Sequence, residues 1–278
     1  MAKTPPYPFL KWAGGKGRVA SRILARLPES INTYYEPFLG GGAIFFELAK
    51  EKRFKRAVLS DMNPALINCW QVIQANVESL IRELQKSQYK YEKKTYLKIR
   101  AADISTFSDV QKAARTIYLN KTCFNGLYRV NSQGNFNVPF GKYSNPTICD
   151  ESNLTAVSQA LKGVEIKICE FNVAEKAKIG DAVYFDPPYL PISATSKFTA
   201  YTELGFGLED HEKLAGLFQH IGKKGVRCVL SNSAAKKAIE LYSDFDMDKF
   251  IGTRSVGGPV DFRKPAGEII VFNGPKTK

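Results

Sequence analysis

The chain has 278 residues, 44% of them apolar, enough for a full core in one large domain or a domain with a sizeable insertion. Lys and Arg number 40 against 27 Asp and Glu, and the net charge of +13 favours a polyanionic partner, nucleic acid before an anionic membrane surface. No apolar run approaches the roughly 20 residues that span a bilayer, and the opening MAKTPPYPFLKWAGGKG has no continuous apolar stretch, so neither a membrane partner nor a secretory signal is expected.

In chain order, TYYEP (33–37) reads as a buried strand, followed by a glycine loop and the helical pattern AIFFELAKE. A second strand, RAVLSD (56–61), leads into the helical pattern PALINCWQVIQANVESLIRELQK. The alternation of strand and helix then breaks between about Pro64 and Cys149. A long polar helix ending near LQKSQYKYEKKTYLKIR is expected there, then another at DVQKAARTIYLNK. The following CFNGLYRVNSQGNFNVPFGKYSNP, dense in Asn, Gly and aromatics, suggests a hairpin with NSQG as its turn. Alternation resumes with strands VEIKICEF (164–171) and DAVYFD (181–186), helix GLEDHEKLAGLFQHIGKK, strand VRCVLSN (226–232), helix SAAKKAIELYSD and strand GEIIVFN (267–273). The pattern predicts an α/β domain with a mostly parallel sheet, which binds ligands at the carboxyl ends of its strands. The expected layout is a discontinuous domain, residues 1–63 and 150–278, with an insert at 64–149.

YYEPFLGGGAIFFELA has the form strand, glycine loop, helix, in which backbone approaches a ligand closely at a helix N-terminus. A GxGxxG fingerprint would need a third glycine where Phe45 stands, and GGKGR does not complete a P-loop, so no pyrophosphate cradle is supported. About 20 residues beyond the loop Asp61 ends the next strand, at the spacing of a carboxylate that bonds ribose hydroxyls. Glycine loop and ribose acid without a phosphate motif fit a phosphate-free nucleoside such as S-adenosylmethionine; a tight turn with a helix-capping Asp is the competing reading. Cysteines 69, 123, 149, 169 and 228 form no CxxC pair and the histidines are two, which argues for reduced thiols in a cytoplasm and against a disulfide framework or a metal site.

The apolar AVYF ends in Asp186-Pro187-Pro188-Tyr189. An exocyclic base amine is a poor nucleophile because its lone pair is delocalised into the ring. Two acceptors, the Asp186 carboxylate and the Pro187 carbonyl, would turn that lone pair toward a methyl donor. Prolines fix φ and bring no competing N–H, and Tyr189 offers a flat face for a base taken out of the duplex. Asp186 would then act through orientation and electrostatics rather than as a strong base. Asp-Pro also starts ordinary turns; the glycine loop, Asp61 and the basic charge decide for the functional reading.

FLKWAGGK (9–16), EPFLGGGA (36–43), DMNP (61–64), YLNKTCFNGLYRVNSQGNFNVPFGKY (118–143), DPPY (186–189), SATSKFTAY (193–201), LSNS (230–233) and RSV (254–256) stand in one order along the chain. In that order the sequence resembles the Dam-type, alpha-group DNA adenine-N6 methyltransferases over nearly its whole length. The resemblance implies a Rossmann-like methyltransferase sheet and a mainly helical target-recognition insert carrying a β-hairpin. It implies S-adenosyl-L-methionine as cofactor, S-adenosyl-L-homocysteine as product and double-stranded DNA, GATC by family habit, as substrate. Trp12, Ala13, Gly14, Lys16, Glu36, Phe38, Gly40, Gly42, Asp61, Phe171, Asn172 and Asp186 would bind the donor, and Asp186 through Tyr189 would form the catalytic pocket. Trp12 as core and Phe171 as packing are the competing readings.

By the same resemblance Phe124 and Asn125 lie in the loop that enters the duplex, and Leu127 and Arg129 are presented to base edges. Pro139, Tyr143 and Lys11 match further base-contacting positions. Arginine suits guanine O6 and N7 in the major groove; a phosphate contact is the alternative. Tyr128 stands where the family has a smaller residue, and the middle of RSVGGPVDFRKPAGEIIVFN departs from it. Cytosine-N4 transfer, a catalytically inactive DNA-binding protein, and methylation of RNA or protein amides stay open here. So does the choice between solitary action and a cognate restriction endonuclease acting on the same site.

Overall fold

The computed structural model describes residues 5–191, 205–252 and 266–274. The matched segments SATSKFTAY (193–201) and RSV (254–256), and the apolar departure after the latter, lie outside the described residues. The chain divides into two compact units, one of residues 1–17, 40–50 and 61–168, the other of 18–39, 51–60 and 169–278.

The second unit carries the sheet expected from the strand pattern. Strands β1 (Ile31–Glu36), β2 (Phe54–Asp61), β4 (Ala182–Phe185), β5 (Arg227–Ser233), β6 (Asp246–Gly252) and β7 (Ala266–Phe272) run in the order β2-β1-β4-β5-β7-β6, while β3 (Glu165–Ile168) falls in the first unit. β2, β1, β4 and β5 pair in parallel, and β7 joins antiparallel between β5 and β6. All four residues of β4 are buried, as a strand covered on both faces requires. β6 has no counterpart among the expected strands: in DMDKFIG two charged residues, Asp248 and Lys249, are followed by two apolar ones, Phe250 and Ile251, so it shows neither alternation nor a long apolar run.

Helices α7 (Leu208–Lys223) and α8 (Lys236–Leu241) close one face of this sheet, and Val183, Phe185, Leu214, Phe218, Tyr242 and Val271 share its core. Helix α7 starts with Glu209 and Asp210 and has Lys223 in its last turn, charges that complement the helix dipole. The short α1 (Ala20–Leu24) belongs to the same unit.

The first unit is mainly helical: α2 (Ala43–Lys50), α3 (Pro64–Leu84), α4 (Lys93–Ala101), α5 (Asp109–Thr122) and α6 (Glu151–Ala160). Asn63 caps α3 by accepting the Leu66 N–H at 3.1 Å, with Pro64 at the first helical position. A Ser108–Gln111 capping box starts α5. The single long helix expected through LQKSQYKYEKKTYLKIR is instead broken: Lys86 and Lys90 are extended and Ser87–Tyr89 makes one 3-10 turn before α4. Tertiary packing causes the break, because it lets Tyr89 and Tyr96 both lie against Tyr118, whose hydroxyl donates to the Lys90 carbonyl at 2.8 Å. The expected hairpin is reduced to isolated antiparallel bridges, Val130 with Phe136 and Cys123 with Phe140, around a turn with Gly134 at φ 77°. Among the described residues no helix is long and apolar enough to cross a membrane.

Candidate active site

Side chains alternate along a strand, so Tyr184 and Asp186 leave β4 on the same face while Val183 and Phe185 enter the core on the other. Parallel pairing of Phe185 with Leu230 brings Ser231 level with Asp186. The Ser231 hydroxyl donates to Asp186 Oδ1 at 2.7 Å, and the Tyr184 hydroxyl lies 2.8 Å from Ser231 Oγ. The next two residues hold the far end of the turn. Asn232 Oδ1 accepts the Leu190 N–H at 3.1 Å, and the Ser233 hydroxyl donates to the Leu190 carbonyl at 2.5 Å. Buried polar groups are mostly hydrogen-bonded, and here the Ser231 and Ser233 hydroxyls and the Asn232 side-chain oxygen grip Asp186–Leu190 at both ends.

The Tyr189 hydroxyl donates to Glu268 Oε2 at 3.4 Å, across the β5–β7 pairing of Ser233 with Glu268. Burial, with the carboxylates of Asp186 and Glu268 close by, holds the Tyr189 phenol well above its ordinary range, so it stays protonated and flat-faced rather than charged. Buried Glu36, at the end of β1, accepts from the Tyr34 hydroxyl at 2.9 Å.

Phe38 and Phe171 stack with centroids 5.9 Å apart and planes 18° from parallel, and Phe206 meets both edge-on. Asn172 beside them is exposed. His211 lies edge-on against Phe206 at 4.9 Å, 2% exposed, next to the Pro188 carbonyl. Burial pushes its imidazole down to about 4, with the Pro188 carbonyl opposing the shift. A histidine whose folded value is depressed binds protons more readily when unfolded. Its contribution to stability is therefore present above its ordinary value of 6.5 and is lost as pH falls from 6.5 toward about 4. The loss amounts to about 3 kcal/mol at the bottom of that window. Urea unfolding between pH 7 and 4.5 is expected to show this slope in the native chain and a flatter one in His211→Gln.

In the first unit the glycine loop has the backbone that its composition demands: Gly40 at φ 49° and Gly42 at φ 67°, both left-handed. A Cβ on Gly40 would stand 2.9 Å from Trp12 Cδ1, so the indole lies directly on the loop. Asp61 accepts the Gly40 N–H at 3.0 Å through Oδ2 and the Asn63 N–H at 3.0 Å through Oδ1. Burial raises its pKa against the pull of these N–H donors. Asp61 therefore braces the loop; the residue that caps α3 is Asn63. Lys16 is buried and its ammonium reaches the Gly14 carbonyl at 2.5 Å, while Ala13 is exposed.

Asn120, on α5, ties the segment before the loop to the hairpin. It accepts the Lys11 N–H at 2.8 Å and donates to the carbonyls of Lys11 and Gly126 at 2.8 and 2.9 Å. The Lys11 ammonium sits 4.0 Å from the centre of the Tyr143 ring, whose hydroxyl donates to the Cys123 carbonyl. Phe124 is 46% exposed, Asn125 is left-handed at φ 54°, Pro139 is exposed and Leu127 half-buried. Arg129 is exposed and braced by Asn137, its Nε 2.6 Å from Oδ1. Tyr128, the departure from the family pattern, packs on Trp12 with ring centroids 5.3 Å apart.

Within the second unit Asp186, Tyr189, Phe38 and Phe171 each have a braced position; within the first, Gly40 meets both Trp12 and Asp61. Sequence reasoning assigns no role to Ser231, Tyr184, His211, Asn120 or Trp70. The available signal is the run VLSNS, three polar residues finishing an apolar strand that the structure buries throughout.

A family model for the D12 class of N6 adenine-specific DNA methyltransferases matches residues 12–256. The type II methyltransferase M1.LlaDCHI of Lactococcus lactis subsp. cremoris is 45% identical over 273 residues, 96% of this chain and 95% of its own length. The type II methyltransferase M.MjaIII of Methanocaldococcus jannaschii is 39% identical over 284 residues, 96% of this chain and 98% of its own. The DNA adenine methylase of Escherichia coli strain K12 is 30% identical over 272 residues, 96% and 95%. With glycine loop, Asp61 and the gripped DPPY turn all inside the matched span, the chain belongs to the D12 class of N6 adenine-specific DNA methyltransferases, with S-adenosylmethionine as its methyl donor.

Proposed function

We propose that the protein methylates N6 of an adenine turned out of duplex DNA within GATC, with Asp186 and the Pro187 carbonyl as the two acceptors of the amine hydrogens. The observation that carries the catalytic part is the fixed carboxylate: Ser231 holds Oδ1 of Asp186 at 2.7 Å beside a turn whose prolines supply no N–H. A carboxylate held still orients the amine lone pair without reorganising during the reaction. Tyr189, protonated and flat, stacks on the extruded adenine.

The donor-side residues fit a phosphate-free nucleoside. Asp61 is already oriented by two backbone N–H groups and so suits ribose hydroxyls, and Phe38 and Phe171 offer parallel aromatic faces to an adenine. Trp12, Ala13, Gly14, Lys16, Glu36, Gly40, Gly42 and Asn172 complete the assignment. S-adenosylmethionine, once bound, supplies an electrophilic methyl carbon.

Residues 64–149 form the target-recognition part in this reading, where Phe124 and Asn125 enter the duplex and Leu127, Arg129, Pro139, Tyr143 and Lys11 face bases. Exposure of Phe124 and the Asn137 brace on Arg129 support it, since a braced guanidinium loses little freedom on binding. GATC follows from the resemblance to the Dam-type family. A cognate restriction endonuclease sharing the site is proposed from the type II naming of the relatives at 45% and 39% identity.

The decisive experiment expresses the chain in a methylation-free host and maps modified bases across the genome. N6-methyladenine in GATC supports the reading; N4-methylcytosine, another target or no modification refutes it. Arg129→Ala is expected to relax discrimination at one base pair by about 1–3 kcal/mol. Competition between cognate and singly altered duplexes checks this, and equal weakening on every duplex makes Arg129 a phosphate contact.

A further inference from the structure

We propose that Tyr184 and Ser231 are positioning residues, forming a one-way hydroxyl chain that sets the plane of the Asp186 carboxylate for methyl transfer. The inference rests on the methyl-transfer reading and adds to it two residues outside the DPPY motif.

The direction of the chain follows from counting hydrogens. A serine hydroxyl has one proton, and an ionised carboxylate only accepts. At 2.7 Å from Oδ1, the Ser231 proton belongs to Asp186, so the 2.8 Å contact with Tyr184 must run from the phenol to Ser231 Oγ. Donation into Oγ polarises the Ser231 hydroxyl and strengthens its own donation to the carboxylate. Tyr184 can serve as a constant donor because burial, reinforced by the nearby Asp186 charge, keeps its phenol from ionising. It is among the largest fully buried side chains of the protein.

Strand geometry fixes the three groups. Tyr184 on β4 and Asp186, one residue past its end, are two residues apart and so share a face, and Ser231 is delivered from β5 by the pairing of Tyr184 with Val229 and Phe185 with Leu230. Both strands are buried at Tyr184 and Ser231, so neither can swing without disturbing the sheet, and the half-buried Asp186 is held through its bond to Ser231. Oδ1 is thereby held at one point, and with it the orientation of the carboxylate around its Cβ–Cγ bond. The carboxylate then presents an acceptor direction to the target amine that a freely turning Asp would offer only part of the time.

The experiment measures kcat and KM on GATC duplexes for the full chain and for S231A, Y184F and the double variant, with thermal melting as a fold control. Turnover by the unaltered protein tests the methyl-transfer reading; only the variants test the chain, so the two failures are distinct. Removing a hydrogen bond to a charged group is expected to lower kcat of S231A about 10–100-fold, with donor KM little changed, because the loss falls on the transition state. Y184F is expected to lower kcat about 3–10-fold, and to do so only while Ser231 is present. Ser231→Thr, which keeps the hydroxyl, is expected to recover most of the rate. The proposal is overturned if S231A keeps its kcat, or if the Y184F loss multiplies undiminished onto S231A. Should S231A fail to fold, Y184F decides alone: a lowered kcat at unchanged melting temperature and donor KM supports the chain, and an unchanged kcat refutes it.

Discussion

Asp186→Ala is expected to lower methyl transfer by about a thousandfold or more, with donor affinity largely retained. The substitution removes the carboxylate that accepts an amine hydrogen, and with it the partner of the Ser231 hydroxyl. What remains is a pocket without that acceptor, in which the amine lone pair stays delocalised into the adenine ring. Asp186→Asn sharpens the test. It keeps the shape and one acceptor oxygen but replaces the other oxygen with a donor, so it should recover little of the rate. Tritium transfer to duplex DNA under single-turnover conditions, beside equilibrium binding of the donor, separates chemistry from binding. Turnover by either variant close to that of the native chain would remove Asp186 from the mechanism.

Trp70→Ala carries the largest expected effect on stability, about 3–5 kcal/mol. Trp70 is fully buried on α3, with Phe9 edge-on at 4.8 Å, Phe46 stacked at 5.5 Å and Phe45 edge-on at 6.3 Å. Its indole N–H also donates to the Gly40 carbonyl at 3.2 Å, so one residue anchors both the helical core and the glycine loop. The two roles separate experimentally. Trp70→Phe retains much of the packing and loses only the donor, and a hydrogen bond of this kind is worth about 1 kcal/mol. Urea unfolding should therefore rank the variants native, Phe, Ala. Donor affinity should fall in the Phe variant, because the Gly40 carbonyl loses its tether and the left-handed turn loosens. An unchanged donor affinity in Trp70→Phe would confine the indole to packing.

Features governed by local rules are legible in the order of residues. The parallel strands announce themselves as short apolar runs because both their faces are covered, and AVYF is buried at every position. The glycine loop is legible because glycine alone adopts left-handed backbone cheaply, which Gly40 and Gly42 do. The order of motifs identifies the family, and the relatives bear that out along the chain.

Other features are hidden because their causes lie far away in sequence. Nothing in LQKSQYKYEKKTYLKIR marks the break at 86–90; it exists because Tyr118, beyond the next loop, accommodates Tyr89 and Tyr96. Tyr128 reads in the sequence only as a departure from the family's smaller residue, and the structure shows where its ring goes, onto Trp12. DMDKFIG has no strand periodicity of its own, and β6 is an antiparallel edge strand that only its pairing with β7 defines.

The sequence by itself determined the chemistry that this protein brings to a strand end: a carboxylate, two prolines without N–H groups and an aromatic ring. Those properties are covalent and survive in any fold. Only the tertiary structure decided how that carboxylate is held. Ser231 lies 45 residues from Asp186 along the chain and 2.7 Å from it in space, because parallel pairing of β4 with β5 brings the two strand ends level.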